Sequence, residues 1–205
     1  MPQLVVLARR PGPLQGKTRL RGRLGAESCG RLQARLLEHT LAVADGWATA
    51  TGGTVRLQLA AAGPHSCRRP PWRHWQATPQ GRGRLGLRLQ RAVMKARRHG
   101  DGAVVLIGAD LPDLAVQDLL SAGDLLQRRP LVLGPATDGG YWLLGLAASV
   151  PSTAVGGQLF GGIGWGGDQV LATTLARAKG LGLAVGLLRR ASDLDRPDDL
   201  QPWLA

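Results

Sequence analysis

The sequence predicts an α/β fold: one domain over residues 1–205, with a mostly parallel sheet covered by helices on both faces in three layers. Three observations lead there. Short continuous apolar runs, residues 3–8 (QLVVLA) and 103–108 (AVVLIG), suit strands buried on both faces. Segments with apolar residues at helical spacing alternate with such runs, which is the pattern of strand–helix–strand units. Finally, 205 residues with 44% apolar and 20% charged side chains suffice for one globular core and are unlike a disordered chain.

The elements follow in order. The first strand, 3–8, runs into a loop rich in Arg, Pro and Gly (9–25). Residues 26–50 read as a helix, with Leu32, Leu36, Val43 and Trp47 near helical spacing and Gly52-Gly53 as its stop. Residues 54–61 alternate weakly, as a strand does. Residues 62–84 read as a loop with one strand near 72–75, and 85–99 as a basic amphipathic helix with Leu85, Leu89 and Val93 on one face. The strand 103–108 leads through Asp110 and Asp113 to a helix over 115–127. Strands at 131–134 and 141–146 flank the turn Thr137-Asp138-Gly139-Gly140, where Asp-Gly is a hairpin signal. A Gly-rich stretch (156–167), a helix (168–179), a strand (183–188) and a short helix (198–203) complete the chain.

Composition excludes several classes. No apolar run approaches the roughly 20 residues of a membrane span. The N-terminus lacks the order of charge and apolar stretch that marks a signal peptide. Cys29 and Cys67 make neither a disulfide framework nor a zinc cluster, and His39, His65, His74 and His99 sit at no ligand spacing and read as surface residues. Net charge is +12, unevenly spread: residues 1–100 hold 19 Lys and Arg against three acids, while residues 101–205 hold seven against 11, all Asp. A basic half suits an anionic partner or a solvated surface. Asp in quantity suits turns, caps and metal sites. A nucleic-acid module fits poorly, since the six Trp residues show no platform-like spacing.

In open α/β sheets ligands bind beyond the carboxyl ends of the strands. The candidates there are Arg9, Arg10, Lys17 and Arg19 after the first strand, Asp110 and Asp113 after the 103–108 strand, and Thr137 to Gly140 before Tyr141. Basic groups at one loop and acids at others are what a metal-bound diphosphate requires. Gly16-Lys17-Thr18 is not a Walker A loop, because position 11 is Pro. A carboxylate at the end of a buried strand, such as Asp110, needs a partner cation. Asp113 serves equally as a helix cap or a catalytic acid. Of Tyr141 and Trp142, consecutive in a strand, one packs in the core. Asp193 or Asp195 could also reach a metal.

Together these motifs resemble a bacterial family with a glycosyltransferase-A-like (nucleotide-diphospho-sugar transferase) fold, long catalogued as a domain of unknown function and labelled arsenosugar-biosynthesis glycosyltransferases. The matching segments are Ala8-Arg9 with Pro11 through Leu20, Gly108 through Leu114, Gly134 through Leu146, Leu159-Phe160 with Trp165, and Asp193-Leu194-Asp195 with Pro197 through Leu200. More distantly, the chain is similar to phospholactate guanylyltransferases. The resemblance implies a divalent cation (Mg²⁺ or Mn²⁺) on Asp110, phosphate contacts from Lys17 and Arg19, and Asp138 with Gly139 and Gly140 at the donor or acceptor; from their strand-end places Arg9 joins the phosphate contacts and Asp113 joins Asp138 as a candidate catalytic acid. It departs from the family at Leu14, where a Gly is usual, and at Arg84, where an acid is usual.

The leading expectation is a cytoplasmic, metal-dependent glycosyltransferase using a nucleotide-sugar donor and a small acceptor, with neither nucleic acid nor membrane as partner. Nucleotidyl transfer from an NTP to a phosphorylated acceptor, with pyrophosphate leaving, is the alternative.

Overall fold

The structure is a computed structural model that describes residues 1–12, 17–60 and 77–203. Its strands are β1 (Gln3–Arg9), β2 (Thr54–Ala60), β3 (Ala77–Pro79), β4 (Val104–Ile107), β5 (Leu131–Pro135), β6 (Tyr141–Leu146) and β7 (Val185–Leu187). The α-helices are α1 (Arg21–Leu24), α2 (Ala26–Thr51), α3 (Leu85–Arg97), α4 (Val116–Leu126) and α5 (Val170–Gly180). A 3-10 turn at Thr18–Leu20, a π-helical turn at Ala154–Gln158 and a 3-10 helix at Pro197–Trp203 supplement them.

Most elements lie where the apolar pattern puts them. The 26-residue α2 ends where Gly52 adopts a left-handed φ of 64°, which glycine accepts without strain. The strand expected near 72–75 lies outside the described residues. The three-residue β3 falls in the stretch read as loop; it is too short to show alternation and ends on Pro79, tolerable because β3 is an edge strand. His39, read as a surface residue, is half-buried, and its Nε2 lies 2.9 Å from the carbonyl oxygen of Leu114.

One sheet carries all seven strands, in the order β3-β2-β1-β4-β6-β5-β7. Every pairing is parallel except those of β6, which runs against β4 and β5. The antiparallel β5–β6 pair is the hairpin that Asp138-Gly139 signals. From β1 the chain winds outward to β2 and β3, then returns through α3 to place β4 on the other side of β1. That reversal opens a crevice between the carboxyl ends of β1 and β4, where open sheets of this kind bind ligands.

Two apolar layers cover the sheet. Leu37, Leu41 and Trp47 of α2 and Leu119, Ala122 and Leu126 of α4 pack with Leu4, Val6 and Val105 on one face. Leu89, Val93 and Ala96 of α3, with Phe160 and Ala178, pack with Val5, Leu106 and Leu144 on the other. Burial of alternate residues on opposite faces explains why these strands read as unbroken apolar runs. Trp142 enters the first layer and Tyr141 packs against the second, as their adjacency requires.

Trp142 also anchors the end of the sheet. Its Nε1 donates to the Arg189 carbonyl oxygen at 3.2 Å, and the Arg189 guanidinium stands 5.8 Å from the ring centroid. The indole lies so close over Gly134 that a Cβ there would come within 2.4 Å of the ring. Gly134→Ala should therefore force the indole aside and cost about 1–3 kcal/mol. Urea unfolding followed by Trp fluorescence measures this; unchanged stability would mean that the indole is not fixed over the glycine.

Candidate active site

The carboxyl ends of β1, β4 and β5 and the start of β6 share one edge of the sheet. There Arg9, Asp110, Asp138 and Asp193 line both a cleft of about 310 Å³ and an adjoining hollow of about 440 Å³. Gln80, Arg88, Tyr141 and Trp165 belong to the cleft, and Lys17, Arg19, Asp195 and Arg196 to the hollow.

Lys17 and Asp110, predicted separately for phosphate and metal, meet in an ion pair. Lys17 Nζ lies 2.5 Å from Asp110 Oδ1 and donates to the Leu194 carbonyl oxygen at 2.5 Å. The Lys17 side chain is buried, and its backbone has φ 44°, a left-handed conformation uncommon outside glycine. Burying an ammonium costs several kcal/mol unless it is paired and hydrogen-bonded, and this one is both. Leu194 N–H in turn donates to the Asp110 carbonyl oxygen at 2.9 Å. Leu20, Cys29, Leu194 and Leu200 form a small core beneath. The segment after β1 and the segment after β7 are thus fastened to each other and to the end of β4. Lys17 consequently serves Asp110 rather than pointing a free ammonium at solvent.

The carboxylates are crowded. Burial, then the negative charges of Asp110 and Asp138, push the Asp193 carboxyl up to about 7, with Lys17 opposing. Excess negative charge carried by hard oxygen donors suits a divalent cation. No three acidic, His or Cys side chains form a ready-made cage among the described residues. Mg²⁺ sites of the nucleotide kind need none, since they use one or two carboxylates and draw remaining ligands from substrate phosphates and water. The residues fit such an ion on charge and donor type.

The other expected residues divide. Arg9 is exposed and faces both hollows; Arg19 pairs with Asp195 at 2.7 Å. Asp138 Oδ1 accepts the Gly140 N–H at 2.9 Å, closing the turn that presents the carboxylate to the cleft. Gly139 has φ 87°, and a Cβ there would meet the Asp168 carbonyl oxygen at 2.0 Å; its role is to let that segment approach. Asp113 is not brought to the cleft. It pairs with Arg189 at 2.9 Å, beside Asp118, so it is a structural acid. Nor does it cap α4, where the Ala115 N–H donates to Asp118 Oδ2 at 2.9 Å. Arg84 is exposed at the N-terminal end of α3 and absent from both linings, and Leu14 lies outside the described residues.

Sequence reasoning missed Gln80 and Arg88. Gln80 is buried, its Nε2 donating to the carbonyl oxygens of Ala8 (3.1 Å) and Gln58 (2.9 Å). Its Oε1 accepts from Arg88 Nη1 at 3.0 Å. Nothing in the sequence flags Gln80, but Arg88 adjoins Leu89 of the buried helix stripe, a place where a charge needs a reason.

A carboxyl group raised from 3.8 to about 7 on folding weakens the folded state as pH rises. Below the unfolded value both states are protonated and there is no penalty; the penalty grows through the interval and is complete above the folded value. Asp193→Asn removes it. In chelator-treated protein, the melting-temperature advantage of Asp193→Asn over wild type should be smallest near pH 4 and grow up to about pH 7. An advantage independent of pH would refute the crowding.

The chain's relatives bear on this site. Residues 43–167 match the profile of a family described as "Uncharacterized protein conserved in bacteria (DUF2064)". A curated relative, the 3-phospho-D-glycerate guanylyltransferase of Phenylobacterium zucineum (strain HLK1), is 38% identical over 100 residues, which cover 47% of this chain and 41% of that protein. The match thus spans less than half the length of that relative. A solved protein of Desulfovibrio desulfuricans G20, named for a nucleotide-diphospho-sugar transferase, superposes with a TM-score of 0.84 at 26% identity, covering 98% of this chain and 85% of its own. Rv0371c of Mycobacterium tuberculosis H37Rv, solved as a complex with manganese, shares the fold with a TM-score of 0.57 at 19% identity, covering 99% and 97%. The expectation of a transferase agrees with the first two names, and the guanylyltransferase favours the alternative of nucleotidyl transfer over sugar transfer. Among the described residues no helix is long and apolar enough to cross a membrane. With well over half its length matched by the family profile, and with the outward-and-return winding of its sheet, the chain belongs to this bacterial family and has the nucleotide-diphospho-sugar transferase fold.

Proposed function

We propose that the chain is a nucleotidyltransferase: an oxygen of a phosphorylated small acceptor attacks the α-phosphorus of a nucleoside triphosphate. The new P–O bond forms as the bond from the α-phosphorus to the bridging oxygen breaks, and pyrophosphate leaves with that electron pair. The observation that carries this reading is the convergence of Asp110, Asp138 and Asp193 with Lys17, Arg9 and Arg19 at the crevice between β1 and β4. The guanylyl transfer named for the curated relative supports it, as does an Arg-rich edge suited to anions on both substrates.

Asp110 and Asp193 would hold a divalent cation, which when bound neutralises charge on the transferring phosphate and the leaving pyrophosphate. The protein's own part is positional. Lys17 fixes the Asp110 carboxylate and balances its charge within the wall of the site. Arg9 and Arg19 at the rim attract and orient phosphate oxygens, Arg19 being itself aligned by Asp195. Asp138, held by its own turn, orients the acceptor at the cleft side.

The alternative, transfer of a sugar from a nucleotide-sugar donor, is kept alive by the name of the Desulfovibrio protein. Products separate the two. Purified protein with Mg²⁺, a panel of triphosphates and 3-phospho-D-glycerate should release pyrophosphate, and Asp110→Ala should lower that rate at least about 100-fold. Release of nucleoside diphosphate from a nucleotide sugar, with no pyrophosphate from any triphosphate, would establish sugar transfer instead.

A further inference from the structure

The 310 Å³ cleft is lined both by charged side chains, Arg9, Asp110, Asp138 and Asp193, and by apolar ones, Leu7, Ala60, Leu85 and Leu89. Arg88 stands on α3 beside Leu85 and Leu89 of that lining. Burial, with the like charge of Arg9, holds its guanidinium below the usual arginine range, and no acid acts against them. The other arginines of this region for which ion pairs are seen, Arg19 and Arg189, each have a carboxylate partner.

Orientation narrows what Arg88 can bind. Gln80, itself held by the carbonyl oxygens at the ends of β1 and β2, takes up Nη1. Nε is withdrawn from water and has no hydrogen-bond partner among the described residues, and no bond of Nη2 is seen among them. Nε–H and Nη2–H share one edge of the planar guanidinium and point in parallel, a fork that needs two acceptors side by side. A phosphate dianion would satisfy the fork, but against the leucines of α3 it would lose part of its hydration. A flat heterocycle loses little there, because its faces lie on the leucines while one edge meets the fork.

We propose that Arg88 reads the nucleobase of the triphosphate and selects guanine, through Nε–H and Nη2–H donated to O6 and N7. This rests on the nucleotidyl-transfer reading and names its donor. Adenine places an amino donor where guanine has O6, so one arm of the fork would face a second donor. Uracil offers no two adjacent acceptors, and the adjacent O2 and N3 of cytosine lie close to the ribose rather than at the far edge of the base. Gln80 is a positioning residue in this arrangement, since its side-chain amide is spent on the two backbone carbonyls and Arg88. The guanylyl donor named for the curated relative has the same base.

Direct binding tests this without turnover. Calorimetric titrations of the Mg²⁺-loaded protein, with no acceptor present, compare GTP, ITP, 7-deaza-GTP and ATP. ITP keeps O6 and N7 but lacks the 2-amino group, and 7-deaza-GTP lacks N7. The expected result is that GTP and ITP bind alike, and both at least about tenfold more tightly than 7-deaza-GTP or ATP. Arg88→Lys retains charge but loses the fork, and should bring GTP to the level of ATP with little change in ATP affinity. Because the wild-type series needs no variant, a variant that folds poorly leaves the test intact. Equal affinity for GTP and ATP would overturn base selection while leaving nucleotidyl transfer standing. ITP behaving like ATP would move the selection to the 2-amino group and overturn the role of Arg88. Binding of no triphosphate at all would overturn this proposal and the nucleotidyl-transfer reading together. If 3-phospho-D-glycerate alone bound wild type and was lost in Arg88→Lys, the fork would be an oxyanion site and the proposal wrong.

Discussion

A buried ammonium organises this site. Lys17 Nζ sits between the Asp110 carboxylate and the Leu194 carbonyl oxygen, out of contact with water. An isolated ammonium could not remain there, and the half-exposed Asp110 carboxylate is what makes it tolerable. The pair obliges three segments distant in sequence to meet: the loop after β1, the end of β4 and the segment after β7. The left-handed backbone at Lys17 is a local cost that this meeting offsets. Removing Asp110 would leave the buried ammonium unmatched, so the site and the integrity of that edge of the sheet are coupled through Lys17.

The same bookkeeping of charge runs through the rest of the molecule. The basic first half and the Asp-only second half are brought face to face at the carboxyl edge, and part of that charge is used up structurally. Arg189 ties Asp113 and Asp118 together behind Trp142, and Asp199 accepts from the N–H groups of Asp195 and Arg196 to shape the last turn. Arg9, Arg88, Asp110, Asp138 and Asp193 line the cleft. Asp193 is left buried and in negative company, and Arg88 is left partly buried beside the like charge of Arg9. A folded chain keeps such residues apart from their counter-ions at a cost, and a ligand carrying a divalent cation and phosphates relieves both at once.

How far this could be read from sequence depends on the kind of signal. Strands such as 103–108 are legible because burial on both faces demands unbroken apolar residues, and the hairpin is legible because Asp138-Gly139 is a turn with its own chemistry. β3 leaves no trace, being three residues at an edge. Asp110 and Asp138 follow from strand-end position alone. The pairing of Lys17 with Asp110 does not, because it joins residues 93 apart in the chain through a third segment. Asp113 stands beside Asp110 in sequence yet faces away from the cleft, since the partner that claims it, Arg189, comes from beyond β7. Gln80 is invisible for a related reason, and Arg88 shows only as a charge beside the buried Leu89: their meaning lies in each other and in the ends of β1 and β2.

The central claim is that the carboxylates form an incomplete cation site, completed by the phosphates of a nucleotide. Electron paramagnetic resonance of Mn²⁺ tests it directly, by titrating the protein with Mn²⁺ in the presence and absence of a non-hydrolysable triphosphate. The account predicts weak binding of Mn²⁺ alone and binding at least about tenfold tighter with the triphosphate, beyond what Mn²⁺ binding to free nucleotide explains. Mn²⁺ binding equally tightly with and without the triphosphate, or not binding in either case, would contradict it.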